Sequence, residues 1–336
     1  MDAPGGDARG ARLKKGLKKG TLPFSAQPGP EKGSVPFFTP RSRLAIALAI
    51  IYLVWGSSFL AGKILVTDEP PLVAAGLRFT AAGLLLLAFA WWRSGPPVFT
   101  RIEVWHLLAM SFLSVFFSNA CHMIAMQFVQ SNTAALLNAT PALWIAWLGT
   151  FGHRRSQLSG SARLGLLVGL IGVLLVLAPK GGFHLAGLGW QLLILLGCLS
   201  WSLGTIYYRN AGAANTPLMF TAVQMLTGGI GLLAAGAVAG ESFAFQWTPR
   251  AVAAILWLTL MSSCLAYSAY AWLTVHARPI VVGSYGYVCP AVAALVGWIV
   301  LDETLAWMQI TGMLVILLGI ALVTGYLRPM PRMAAR

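Results

Sequence analysis

The chain has 336 residues, of which 58% are hydrophobic and only 10% charged, and it carries a formal net charge of +14. So apolar a composition excludes a soluble globular protein and a disordered one, and marks an integral membrane protein. At roughly 20 apolar residues per helical span, the length accommodates ten spans with short loops and leaves no room for a sizeable soluble domain.

The excess charge is concentrated at the start of the chain. Nine of the 23 Lys and Arg residues precede the first apolar run: Arg9, Arg12, Lys14, Lys15, Lys18, Lys19, Lys32, Arg41 and Arg43. Residues 1–43 therefore read as a disordered cytoplasmic tail that orients the first span and touches anionic lipid heads, not as a nucleic-acid surface. It has no apolar core followed by a small-residue cleavage site, so it does not read as a secretory signal.

Apolar runs of spanning length follow at 44–66, 71–92, 104–127, 133–151 and 162–178, then at 188–208, 217–239, 251–272, 281–301 and 306–327. Runs this long indicate helices, since barrel strands are about 9 to 11 residues of alternating pattern. The connecting segments alternate in charge. One set holds Arg93 and Arg101; Arg154, Arg155 and Arg163; Arg209; Arg278; and Arg328, Arg332 and Arg336. The other set holds only Lys180 and Arg250 among basic residues, with Asp68, Glu69, Glu241, Asp302 and Glu303. Basic residues are retained on the cytoplasmic side, so this pattern predicts ten spans with both termini cytoplasmic.

The runs also read as two sets of five, 44–180 and 186–328. Trp55, Lys63, Pro71, Arg78 and Gly83 recur 146 residues later as Trp201, Arg209, Pro217, Gln224 and Gly229. Pro141 answers to Pro290, and Gly165 and Gly172 answer to Gly312 and Gly319. An odd number of spans per copy makes the second copy enter the bilayer from the opposite side, the inverted-repeat arrangement of secondary transporters. The predicted fold is all-α and integral to the membrane: ten transmembrane helices in two inverted five-helix repeats.

Polar residues inside the spans are the candidates for function, because a central Arg costs about 2.5 to 3.5 kcal/mol on insertion scales and needs a partner or a wet cavity. Arg78, about seven residues into the second span, either snorkels to the interface or holds a substrate carboxylate by paired hydrogen bonds. Its repeat counterpart, Gln224, is neutral. Lys63 lies close enough to a span end to snorkel. Trp55 and Trp201 sit mid-span, away from the interfacial belts, as packing between the halves or as a stacking wall for substrate. Their small neighbours Ser58 and Thr205, with Gly56, Ser57 and Gly204, allow close helix approach or a local break. His122, beside Asn119, is either a hydrogen-bonded structural residue or a titratable cavity group. Asn138, Thr140 and Pro141 in the fourth span, and Ser284, Tyr285, Tyr287 and Pro290 in the ninth, place polar groups beside a helix-weakening proline. Tyr267 and Tyr270 add hydroxyls from the eighth. No Asp or Glu falls inside a predicted span, which argues against an embedded-carboxylate proton antiporter. Cys121, Cys198, Cys264 and Cys289 lie in apolar runs without CxxC spacing and predict neither disulfide nor metal site.

In these residues the chain resembles the EamA-type transporters of the drug/metabolite transporter superfamily, over about 42–327. The resemblance is carried by Trp55-Gly-Ser-Ser-Phe-Leu-Ala-Gly-Lys63, Pro70-Pro71 with Arg78-Phe79, Asn138-Ala-Thr-Pro141, Trp201-Ser-Leu-Gly-Thr205, and Pro290 leading through Gly297 to Asp302-Glu303-Thr304. It implies two inverted halves around a central cavity, with the fifth and tenth spans peripheral, and efflux of amino acids or related metabolites. One departure stands out: where the family often places a Gly-Glu near the end of the fourth span, this chain has His153-Arg154-Arg155.

The expected function is export of a small metabolite, an amino acid or related compound, across the bacterial inner membrane by alternating access. The implied partners are a small-molecule substrate and membrane lipids, with a homodimer among the allowed assemblies, no nucleic acid and no cofactor. Substrate-binding candidates are Trp55, Ser58, Arg78, Asn119, His122, Asn138, Trp201, Thr205, Gln224, Tyr270 and Tyr285. Uptake of a sugar or nucleotide-sugar is the rival within the superfamily, and would call for several basic residues facing the cavity. A membrane-embedded enzyme would need an acid or nucleophile paired with a base, and His122 is the only deep base.

Overall fold

The computed structural model describes residues 40–97, 99–151, 158–177, 187–211, 217–277, 279–282 and 284–324. Most of the basic tail, His153-Arg154-Arg155, Lys180, Arg278 and the three C-terminal arginines lie outside them. Among the described residues there is no strand.

Helix α1 runs Pro40–Asp68. Pro70 holds an extended backbone ahead of Pro71, because the residue before a proline is pushed out of the helical region, and α2 (Pro71–Ser94) then starts with proline at its first position. It stops at Gly95, whose φ of 81° a side chain would resist. Thr100 and Glu103 close a capping box on α3 (Arg101–Met126). The fourth predicted span is in two pieces, α4 (Ser131–Leu137) and α5 (Pro141–Leu148), separated by a turn at 138–140. Then come α6 (Gly160–Leu177), α7 (Leu188–Ala211), α8 (Pro217–Val238), α9 (249–276), the single turn α10 (Pro279–Val282), α11 (Tyr285–Leu301) and α12 (Trp307–Thr324). Seven of these helices are long and apolar enough to cross a membrane, and Val288–Leu301 and Trp307–Val323 are shorter apolar helices. The difference from the ten expected spans has a physical source. Pro141 cuts one span into pieces of 7 and 8 residues, and the last two are short.

Two helix pairs pack backbone to backbone at glycines. Between α2 and α8, a Cβ at Gly83 would lie 2.5 Å from the Leu226 amide nitrogen, and one at Gly229 would lie 2.4 Å from that of Thr80. Between α6 and α12, a Cβ at Gly165 would meet Gly319 O at 2.6 Å, and one at Gly312 would meet Gly172 O at 2.8 Å. Each pair of contacts exchanges its members under the 146- or 147-residue shift seen in the sequence. The same shift relates two π-helical segments, Ser111–Phe117 in α3 and Trp257–Ala266 in α9. Leucines 164, 167, 170 and 174 of α6 are exposed, as an outward face toward lipid requires.

One end of the bundle is tied by carboxylates. Glu241 accepts the first free amides of α2, from Leu72 at 3.0 Å and Val73 at 2.9 Å. Glu69 accepts Gln246 N at 3.0 Å. At the end of α11, Asp302 adopts a left-handed conformation (φ 52°), which acids tolerate better than most side chains. The turn sends Glu303 across to α4, where it accepts Ser131 N and Oγ, both at 2.8 Å, and Asn132 N at 3.0 Å. Anions at helix N-termini satisfy amides that have no partner within the helix and oppose the helix dipole.

Candidate functional site

A central cavity of about 140 Å³ opens between α1, α2, α3, the broken α4–α5 pair, α7, α9 and α11. Proline breaks, aromatic rings and polar side chains keep them apart.

Among the described residues that line it, Arg78 is the only cation. Its side chain is 9% exposed, so it does not snorkel to the interface. Its Nε donates to Ser263 Oγ at 2.9 Å and its Nη2 to Ser262 Oγ at 3.1 Å, while the guanidinium carbon stands 4.5 Å from the Phe79 ring centroid. Adjacent residues of an α-helix point away from each other. The wider π-helical winding of α9 here lets two consecutive serines meet one guanidinium. Among the described residues these hydroxyls are its hydrogen-bond partners, which leaves other N–H donors of the five for a ligand. A buried cation without a carboxylate is costly unless an anion or water completes it.

Trp55 of α1 forms the apolar wall. Its ring centroid lies 5.4 Å from that of Tyr267 and 5.2 Å from those of Tyr270 and Tyr285, and its Nε1 donates to Ser262 O at 3.3 Å. Tyr267 also meets Trp201 of α7 at 6.2 Å. The far wall is polar. His122 Nδ1 donates to Ser118 O at 2.7 Å, and its Nε2 lies 3.1 Å from Asn138 Oδ1 at the break between α4 and α5. Cys198 Sγ of α7 approaches the same Asn138 oxygen at 3.5 Å. Asn119 donates its amide to Ser114 O and Val115 O, carbonyls of the π-helical segment of α3.

Eight of the eleven candidates meet at this cavity: Trp55, Ser58, Arg78, Asn119, His122, Asn138, Trp201 and Tyr285. Three do not line it. Tyr270 packs behind Trp55. Thr205 bonds back to Trp201 O at 3.0 Å, within its own helix. Gln224 reaches Met110 O at 3.4 Å, where α8 meets α3, so the counterpart of Arg78 faces a helix contact instead of the cavity. Ser262 and Tyr267 also belong to the lining: the sequence marks Tyr267 as a hydroxyl of the eighth span but not as a binding residue, and Ser262 not at all. Lys63 Nζ donates to Met126 O at 2.7 Å and Gln127 O at 3.0 Å, holding α1 to the C-terminus of α3. Among the described residues no cluster of His, Cys, Asp and Glu could hold a metal ion.

A ten-run apolar chain with a polar cavity at its centre belongs to the solute carriers in outline, and the comparisons with known proteins specify which. The EamA-like transporter family matches the chain twice, over 43–178 and 188–325, so the chain belongs to that family. It is 33% identical over 283 residues to "Uncharacterized inner membrane transporter YedA" of Escherichia coli, covering 83% of this chain and 89% of the relative. It is 27% identical over 294 residues to "Uncharacterized transporter YvbV" of Bacillus subtilis, covering 84% and 92%. A solved crystal structure with 19% identity superposes with a TM-score of 0.63 over 85% of this chain and 98% of that one, a likeness of fold.

Proposed function

We propose that this protein exports a small carboxylate-bearing metabolite, an amino acid or related compound, across the inner membrane by alternating access of the central cavity. The observation that carries the reading is Arg78: a buried guanidinium at the cavity wall, held by two serine hydroxyls and, among the described residues, facing no acid. A substrate carboxylate would complete it with paired hydrogen bonds.

The proposed frame is two inverted five-helix halves with both termini cytoplasmic. The contact pairs Gly83–Leu226 and Gly229–Thr80, and Gly165–Gly319 and Gly312–Gly172, support it because each maps onto the other when the halves are exchanged. The double family match supports it as well. Counting the broken α4–α5 pair and the two short apolar helices with the seven long ones restores ten crossings. Sugar-nucleotide uptake fits less well, since phosphates call for several cavity cations and Lys63 is engaged with the end of α3.

The test is transport by purified protein in liposomes, with intracellular pools and tolerance to toxic amino-acid analogues followed in overexpressing and deletion cells. Movement of at least one carboxylate metabolite is expected, and Arg78→Gln should lower it about 30-fold or more, the loss expected when a buried charged contact is truncated. If no amino acid, amine or sugar derivative moves, or if Arg78→Gln transports as well as the parent, the reading is wrong.

A further inference from the structure

Pro141 and Pro290 stand at corresponding places in the two halves, and each lacks the amide that a helix would offer to the carbonyl four residues earlier. Those carbonyls belong to Leu137 and Gly286, which correspond under the same 149-residue shift. Their situations differ. Leu137 O is satisfied three ways: by Thr140 N at 3.1 Å, Thr140 Oγ1 at 2.7 Å and the Cys198 thiol at 3.6 Å. Gly286 O accepts no side-chain hydrogen bond among the described residues. Gly286 and Pro290 both border the cavity. A Cβ at Gly286 would meet no atom within 4 Å even though the residue is buried, so the void begins at its α-carbon. Pro290 denies Gly286 O the amide four residues on, and a carbonyl that loses its helical donor beside a cavity can take one from what the cavity holds.

We propose that Gly286 O, freed by Pro290, is the acceptor for the ammonium group of a zwitterionic substrate whose carboxylate sits on Arg78. The inference rests on the reading of Arg78 given above. The surroundings suit a cation that must be held without an ion pair. Among the described residues no Asp or Glu lines the cavity, while the rings of Trp55 and Tyr285, 5.2 Å apart between centroids, supply π faces to it. Arg78 repels a lone cation, so an amine lacking the carboxylate binds worst. The site therefore ranks a free amino acid above its des-amino carboxylate, and both above the decarboxylated amine.

The experiment uses the full-length protein in nanodiscs, with the twenty proteinogenic L-amino acids as probes in a thermal-shift and equilibrium-binding screen. Each binder is compared with its des-amino acid and its amine. Pro290→Ala returns an amide donor to Gly286 O and should weaken amino-acid binding about tenfold, equivalent to about 1.4 kcal/mol, while des-amino acid binding stays within about twofold. Gly286→Ala, which leaves the helix intact and puts a methyl on the same wall, should again cost the amino acid more than the des-amino acid. The inference is overturned if Pro290→Ala weakens both ligands equally or neither, or if no L-amino acid binds the parent protein. Arg78→Gln separates the two readings: losing both ligand classes supports the carboxylate assignment, and sparing both sinks it whatever Pro290→Ala does.

Discussion

Glycine does opposite work in two regions of this molecule. In the α2–α8 and α6–α12 pairs it lets one backbone rest on another, so that a single added carbon would sit 2.4 to 2.8 Å from a main-chain atom. At the cavity wall, Gly286 has nothing within 4 Å where its side chain would be. The first region is closed packing that fixes the frame. The second is unfilled space that a ligand can enter. Hydropathy and composition score these glycines alike, and only their neighbours tell them apart.

The sharpest way to break the comparison is to enlarge both kinds. Gly229→Leu forces a side chain into the α2 backbone at Thr80 and should destabilise by about 3 kcal/mol or more, at the upper end for overpacked sites. Loss of monodisperse protein in size-exclusion chromatography checks it. Next in size is Glu303→Gln, which removes the charge from a carboxylate accepting three hydrogen bonds at the N-terminus of α4. About 2 kcal/mol is expected, since bonds to charged groups contribute roughly 1.5 to 3 kcal/mol each and the amide retains part of them. A lowered melting temperature in detergent reports it. Gly286→Ala should go the other way, with stability unchanged or raised by up to about 1 kcal/mol because alanine restricts the unfolded chain and fits the helix better. A fall in melting temperature there would contradict the open space described. Smallest is Ser58→Ala, within about 0.5 kcal/mol, because among the described residues its hydroxyl bonds only to Trp55 O of its own helix. Melting curves indistinguishable from the parent's are the expected result.

Much of the frame was legible in the sequence because spanning a bilayer leaves few options for a backbone. Run length placed α1 to α3 and α7 to α9 within a few residues, and the matched prolines and glycines pointed to contacts that exchange between halves. Pro141 was visible as a weak point, but whether it would kink or sever the span was not: severing depended on Asn138 and Thr140 closing a turn. The cavity was half legible. Arg78 and His122 stood out because buried polar groups demand company, yet nothing local told that Arg78 would find Ser262 and Ser263, 184 and 185 residues away. Gln224 was misleading for the same reason. Its equivalence to Arg78 held along the chain, but the facing helix gave it a carbonyl to bond instead of a void.

The π-helical segments have a consequence for how this sequence can vary. An α-helix turns about 100° per residue, and each wide segment holds its flanking residues in a phase that regular winding would not give. Deleting one residue between 111 and 117 would let α3 relax into ordinary winding. Everything beyond it, Asn119 and His122 included, would keep nearly its present facing, because the wide turn holds about one residue more than an α-turn over the same arc, whereas a deletion in the regular winding before it would swing them about 100° off the cavity. Insertions and deletions in the regular stretches act as frame shifts in three dimensions, and the wide segments are the places where the chain can lose a residue and still face its chemistry the right way.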